Sequence, residues 1–371
     1  MKNNSATHDR HTSTASKAKS SSAQAGQSPF PRIDFAVGGQ AVIEGVMMRS
    51  PNFVTVAVRK LNGEIKLKEE KFQGIGARIK LLGIPFVRGV VNLFEMMIVG
   101  MRMVNFSAAE SMEEVEADTE KNPNKTTMNA DANALQKTAA KDQSTAQTSS
   151  AGGVISIVLS LVFALGFSIL LFKFIPLYIT DFLSKKFPTI NDNYLLFNFI
   201  DGVIKTTFFV VYIGLLGLTK SMHRVFQYHG AEHKSIFTYE KGLELTVENA
   251  KKQIRFHPRC GTSFIMVVFL LSIFIYTFVP RQPDFYMNFS LRLLFLPLIA
   301  GVSYEVLKWS AKYSDHSLVK LVTFPGLMFQ RLTTQEPDDQ QLEVALTSLK
   351  RALELEKIKL TPALETAVDV A

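Results

Sequence analysis

The chain has 371 residues, a formal net charge of +8 and 47% hydrophobic residues, with 29 Phe and a single Cys. One Cys excludes an intrachain disulfide as a stabiliser. The Lys and Arg residues cluster beside hydrophobic stretches and form no single basic domain, so membrane topology accounts for the positive charge better than a nucleic-acid partner does.

Residues 1–30 are rich in Ser, Thr, Ala, Lys and Gln and hold no apolar stretch resembling a secretory signal. They bury too little apolar surface to order themselves and are expected to be a disordered tail. Residues 31–106 are a glycine-rich, β-hairpin and amphipathic portion. The run from Val37 to Pro51 is apolar and punctuated by glycine, and residues 54–69 alternate around Asn62-Gly63. That dipeptide permits the positive φ angles of a two-residue hairpin turn. Within the glycine-rich run, Gln40, Glu44 and Arg49 either approach an anion or belong to a tight structural turn; no P-loop follows, which favours the turn. Residues 78–106 mix apolar residues with Arg78, Lys80, Arg88, Glu95 and Arg102, which fits an amphipathic or partly inserted helix.

Residues 107–150 contain eight acidic and four basic residues and almost no large apolar ones, and read as a flexible acidic linker. Residues 151–320 form the transmembrane domain, with segments 154–179, 194–218, 263–280 and 289–308 long enough for a hydrocarbon core about 30 Å thick. The first and third are the clearest spans. The second carries Asp201 and Lys205, each costing roughly 2.5–3.5 kcal/mol at a helix centre against about 0.3–0.6 kcal/mol gained per large apolar residue, so it requires packing inside a bundle. The spacing of four puts both charges on one face, where they can pair, and Arg292 and Glu305 in the fourth segment call for partners or for snorkelling.

The loop 219–262 carries eight Lys or Arg, whereas 181–193 and 281–288 carry two and one. The positive-inside rule then places that loop and both termini in the cytoplasm, for a multi-pass protein of the cell membrane. The glycine-rich stretch, the loop and the C-terminal region 321–371 all face one compartment. In that region, residues 339–356 place Leu342, Ala345, Leu346, Leu349 and Leu353 on one helical face, to pack on the N-terminal portion or on a protein partner. The expected fold class is a mainly α-helical integral membrane protein, about four transmembrane helices with a small cytoplasmic α/β N-terminal portion containing a β-hairpin.

Four of the seven histidines lie in the loop: His223, His229, His233 and His257. The segment from Tyr228 to Lys234 reads H-x-x-E-H, which on a helix sets His229 and His233 one turn apart with Glu232 beside them. Two imidazoles so spaced suit a divalent ion, and the carboxylate suits a general base. His257 and Cys260 follow, three residues apart. Imidazole and thiolate donors suit zinc above all, or iron, so His229, His233, His257 and Cys260 make a candidate ligand set, with Glu240 and Glu248 as oxygen-donor substitutes. Four ligands imply a structural ion; three, with Glu232 outside, leave room for water. His at this spacing also occurs by chance on helix surfaces, and Cys260 also reads as a small buried apolar residue.

The stretches Gly38–Pro51, Ile84–Gly89, Tyr228–Lys234, His257–Phe264, Ala300–Glu305 and Pro325–Thr334 together resemble the YqhQ-like family of bacterial and plastid membrane proteins, a conserved domain of unknown function. The resemblance covers most of the chain outside the head and the acidic segment. Members carry the label of metal-dependent enzymes, so it implies a metal while implying no established reaction or substrate. The reading that follows is a metal-dependent membrane hydrolase at the cytoplasmic surface. His229 and His233 are ligands, His257 or Cys260 completes the shell, Glu232 is the general base, and Arg259 steadies an anionic, lipid-linked or membrane-bound substrate. Two rivals stay open: a non-catalytic scaffold or assembly factor holding a structural ion or none, and a transporter working through Asp201, Lys205 and Arg292.

Overall fold

Strands β1 (Gly38–Val42), β2 (Gly45–Arg49), β3 (Phe53–Arg59) and β4 (Ile65–Lys71) form an antiparallel meander in sequence order. The structure is a computed structural model describing residues 37–121, 159, 162–313 and 316–368. The disordered tail expected for residues 1–30 and most of the acidic linker lie outside the described residues.

Strands β2 and β3 are apolar on both faces because both faces are covered. Val46, Met48 and Ala57 point to one core, and Met47, Val54, Val56 and Val58 to the other. The tight turn lies between β1 and β2, where Val42 pairs with Gly45 and Glu44 takes a φ of 50°. The hairpin expected at 54–69 is present, but its connection is longer than two residues. Arg59 pairs with Ile65, the Lys60 amide donates to the Glu64 carbonyl, and Gly63 alone supplies the positive φ, 90°. Asn62 contributes by accepting from the Glu64 amide at 2.9 Å instead of occupying a second left-handed position.

Helix α1 (Val87–Lys121) lays Val99 and Met103 on the second face. It runs through residues 107–121, which the sequence assigned to the flexible linker. Polar contacts supply what the missing apolar residues do not: Ser107 accepts from the Ile43 amide at 3.2 Å, and Glu110 pairs with Lys60 at 3.3 Å. Long apolar helices follow, with α2 (Val162–Lys186), interrupted by a π-helical turn at Leu170–Phe174, and α3 (Tyr194–Gly217). Next come α4 (Lys220–Glu240), α5 (Gly261–Tyr276), α6 (Phe285–Leu294), α7 (Leu296–Lys312), α8 (Ser317–Thr333) and α9 (Asp339–Val368).

Helix α9 closes the first face of the sheet together with α4. All five apolar residues expected on one face of α9 are buried there, each worth roughly 1.5–3 kcal/mol of hydrophobic transfer. Buried Glu356 fastens this helix to the β2–β3 turn by accepting from Ser50 Oγ (2.8 Å), the Asn52 amide (2.7 Å) and Asn52 Nδ2 (2.9 Å). Segments separated by most of the chain thus form one three-layer α/β/α unit.

Three helical segments are long and apolar enough to cross a membrane: Val162–Lys186, Tyr194–Gly217 and Phe285–Ser310. The expected third span is shorter than the sequence suggested, because α5 stops at Tyr276 after 16 residues, about 24 Å at 1.5 Å per residue. Asp201, Lys205, Arg292 and Glu305 find partners. Asp201, 0% exposed, holds Lys205 Nζ at 2.9 Å and Arg292 Nη1 at 2.6 Å, and Arg292 also donates to Asn198 Oδ1 at 2.5 Å. Glu305 pairs with Arg88 of α1 instead, through two hydrogen bonds of 2.7 and 2.5 Å.

Replacing Asp201 by Ala strands two cations inside the bundle and is expected to cost about 3–5 kcal/mol in denaturant unfolding of the detergent-solubilised protein. Exposed Lys185 sets the scale: its partner Asp181 keeps Arg281 at 3.0 Å, so Lys185→Ala should change stability by less than about 1 kcal/mol. Comparable losses for the two variants would show that the buried network does not hold the helices.

Candidate metal centre

Thr219 caps α4 by accepting from the Met222 amide, and from there the helix runs beneath β1. One face of α4 enters the apolar core through Tyr228, Ala231, Ile236 and Tyr239. The adjoining face carries His229, Glu232 and His233. His229 Nδ1 lies 2.8 Å from the Thr333 carbonyl and His233 Nδ1 lies 2.5 Å from the Arg255 carbonyl. A carbonyl can only accept, so both Nδ1 atoms carry the proton and each neutral ring turns a lone pair outward on Nε2.

Those lone pairs converge with a thiol. His229 Nε2 is 3.1 Å from Cys260 Sγ, and the His233 Nε2 atom is buried with no hydrogen-bond partner. The donor atoms of His229, His233 and Cys260 lie within 4.8 Å of one another. Cys260 caps the N-terminus of α5, where Sγ accepts from the Thr262 amide at 3.4 Å. Burial holds His233 below the ordinary imidazole value, with neighbouring His229 lowering it further against the opposing pull of Cys260 and the Arg255 carbonyl, so the ring is kept neutral as a ligand requires.

Glu232 sits beside this group, its Oε2 3.9 Å from His229 Nε2. Burial is the largest influence on its carboxyl and raises its pKa, against the His229 and His257 charges and a hydrogen bond from the Gly39 amide. Gly39 is required by close approach: a Cβ there would stand 2.7 Å from Glu232 Cγ and 2.7 Å from the Met47 carbonyl. The polar residues of the glycine-rich run take structural contacts. Arg49 stacks over Phe72 at 4.2 Å, and Glu44 forms a two-point ion pair with Arg224 while accepting from Tyr228.

His257 and Arg259 are not part of the convergent group. His257 Nε2 lies 3.3 Å from Glu240 Oε2, and its ring packs at a tilt against Phe237 and His233 with centroids at 4.6 and 5.7 Å. Arg259 is exposed and pairs with the same Glu240. Burial alone would raise the Glu240 carboxyl, but the hydrogen bond from His257 and the charges of His257 and Arg259 outweigh it and hold it low. Buried Gln330 fixes this turn, accepting from the His257 amide and donating to the His257 carbonyl, both at 2.7 Å, and also donating to Ser263. The supporting groups that sequence reasoning missed are Gly39, Gln330 and the carbonyls of Thr333 and Arg255. Backbone carbonyls leave no residue-type signal; Gln330 and Gly39 stood inside the matched motifs with no spacing to tie them to the histidines.

The family described as "Protein of unknown function (DUF1385)" matches residues 84–355. The uncharacterized protein YqhQ of Bacillus subtilis (strain 168) is 33% identical over 331 residues, covering 88% of this chain and 95% of that protein. No solved structure matches the chain. The chain belongs to the DUF1385 family, the YqhQ-like proteins of unknown function.

Proposed function

We propose that this protein is a metal-dependent hydrolase working at the cytoplasmic surface of the cell membrane. The observation that carries the reading is the pair of imidazoles whose Nδ1 atoms are committed to backbone carbonyls while their Nε2 atoms converge on Cys260. Fixing each ring through the nitrogen that does not ligate is the usual second-layer support of a metal-binding histidine. Two nitrogens and one sulfur suit zinc, which in three-ligand sites supplies Lewis acidity and leaves one position for substrate or water. Glu232, buried with its carboxyl raised, is placed to take a proton from an attacking water at Oε2 and return it to the leaving group. Gly39 closes the site over Glu232 and keeps bulk water from that side. His257 positions the wall behind His233.

Topology supports a cytoplasmic site. The sheet, α4 and α9 pack as one unit on one side of any bilayer, so the chain crosses an even number of times between them. Helices α2 and α3 account for two crossings before α4. Phe285–Ser310 then requires a second crossing between α4 and α9, which makes the short α5 the remaining one and gives four in all. The eight basic residues of 219–262 favour the cytoplasm for that side. A lipid-linked or membrane-bound substrate suits the location.

Elemental analysis of the detergent-purified protein should find about one zinc per chain, lost in a folded His229→Ala/His233→Ala variant. Metal-free wild type prepared without chelators would sink the proposal. In a screen of ester and phosphoester substrates, Glu232→Gln should keep the metal and lower turnover by about 10²–10⁴-fold. A Glu232→Gln protein that retains metal and full cellular function would instead establish a structural ion in a scaffold. Gly39→Ala should also retain the metal, yet slow hydrolysis by displacing Glu232; unchanged turnover would mean that the β1 wall does not position the carboxylate.

A further inference from the structure

Next to the histidine group, but separate from it, lies a cleft of about 500 Å³ between α8, the end of α7 and the turn at Pro258-Arg259. Its lining joins the charged Arg259, Glu240 and Lys320 to an apolar wall of α8 formed by Val319, Phe324 and Leu327. Glu240 is already matched by Arg259 and His257. Exposed Lys320 has no ion-pair partner among the described residues, so the cleft keeps a positive surplus.

Its level relative to a bilayer follows from its surroundings. Trp309, the single Trp of the chain, and Tyr313 stand at the end of α7 with ring centroids 5.4 Å apart, 49% and 45% exposed. Half-exposed Trp and Tyr at the end of an apolar helix mark the headgroup region. On α8 the side chains of Leu318, Leu321 and Phe324 are exposed around Lys320, an apolar face interrupted by one cation. His257 links the two places: it bonds Glu240 in the cleft, and its ring packs at a tilt against His233.

We propose that this cleft binds the phosphate of an anionic membrane amphiphile, with Lys320 and Arg259 at the phosphate and the apolar chain along Val319, Phe324 and Leu327. The binding follows from the cleft alone; only the further step, that such an amphiphile is the substrate presented to His229, His233 and Cys260, rests on the hydrolase reading. A bilayer phospholipid and a polyprenyl phosphate share the required chemistry.

The test is native mass spectrometry of the full chain released from nanodiscs of phosphatidylcholine with added phosphatidylglycerol. Wild type should retain phosphatidylglycerol selectively. Lys320→Glu, a change at an exposed position, should weaken retention by roughly tenfold, the effect of reversing one charge at a membrane surface. Equal retention of the two lipids, or retention unchanged in both Lys320→Glu and a Lys320→Glu/Arg259→Gln variant, would overturn the proposal. Displacement of phosphatidylglycerol by polyprenyl phosphate would support it and identify the lipid carrier as source; displacement by inorganic phosphate alone would overturn the role of the apolar wall. Trp309 fluorescence checks the level independently. Quenching should be stronger with a spin label near the headgroup than near the end of the acyl chain, and the reverse order would remove the cleft from the interface. All these readouts hold whether or not a metal is found, so the lipid site and the hydrolase can fail separately.

Discussion

The two-faced burial of β2 and β3 is the constraint on which the rest of the molecule depends. A sheet with Val, Met and Ala on both sides cannot leave either side to water, and its own portion of the chain supplies only α1 to cover it. The other face takes α4, from the middle of the sequence, and α9, from its end. Long-range closure of this kind is entropically costly, and the buried Glu356 contacts and the Thr55–Ser348 hydrogen bonds add direction to what apolar burial alone leaves free to slide. The same closure brings Gly39 against Glu232. Sheet packing and the chemistry of the histidine group are therefore not independent, because a slip of one residue in the β1–β2 register would turn a side chain into the space that Glu232 occupies.

Around the three donor atoms, the backbone does most of the positioning. Thr333 ends α8 and Arg255 lies in the connection before α5, yet their carbonyls set the orientation of two rings on α4. Gln330, by bonding the amide and the carbonyl of His257 at once, locks the turn that delivers Cys260 to the start of α5. His257 itself serves as a spacer between His233 and the Glu240–Arg259 pair. A cysteine at a helix N-terminus, two rings with fixed tautomers and a desolvated carboxylate form an arrangement whose parts are prepared before any ligand arrives.

Patterns that depend on neighbouring residues were legible in the sequence. The i, i+4 spacing of His229 and His233, the Asp201–Lys205 pair and the apolar stripe from Leu342 to Leu353 all appear in the structure as read, since one helical period fixes each of them. Proximity of His257 to Cys260 in sequence misled, because Pro258 and the Gln330 clamp send the imidazole and the thiol to different sides of the turn. The acidic start of the linker misled for a related reason: composition argued against order, but Glu110 and Ser107 meet partners on the sheet that no local pattern announces. The hairpin at 54–69 was legible as a pair of strands, whereas its loop length was set by the register of Arg59 on Ile65.

The long apolar helices and the histidine group are mechanically continuous. Helix α3 passes into α4 across Leu218-Thr219 alone, and Cys260 is the cap of α5, so two of the three donors hang from one bundle helix and the third from another. The separation of α3 and α5 is set deep in the bundle. Gly202 leaves space for Ile273, Asn198 donates to the Tyr276 carbonyl at 2.6 Å, and the Tyr276 hydroxyl donates to the Arg292 carbonyl at 2.8 Å. Asp201 and Arg292 complete that lock. Charged residues in an apolar bundle are expensive, and a network that holds α3, α5 and α6 in register offsets the cost by fixing the distance between His229 and Cys260 from within the membrane-associated part.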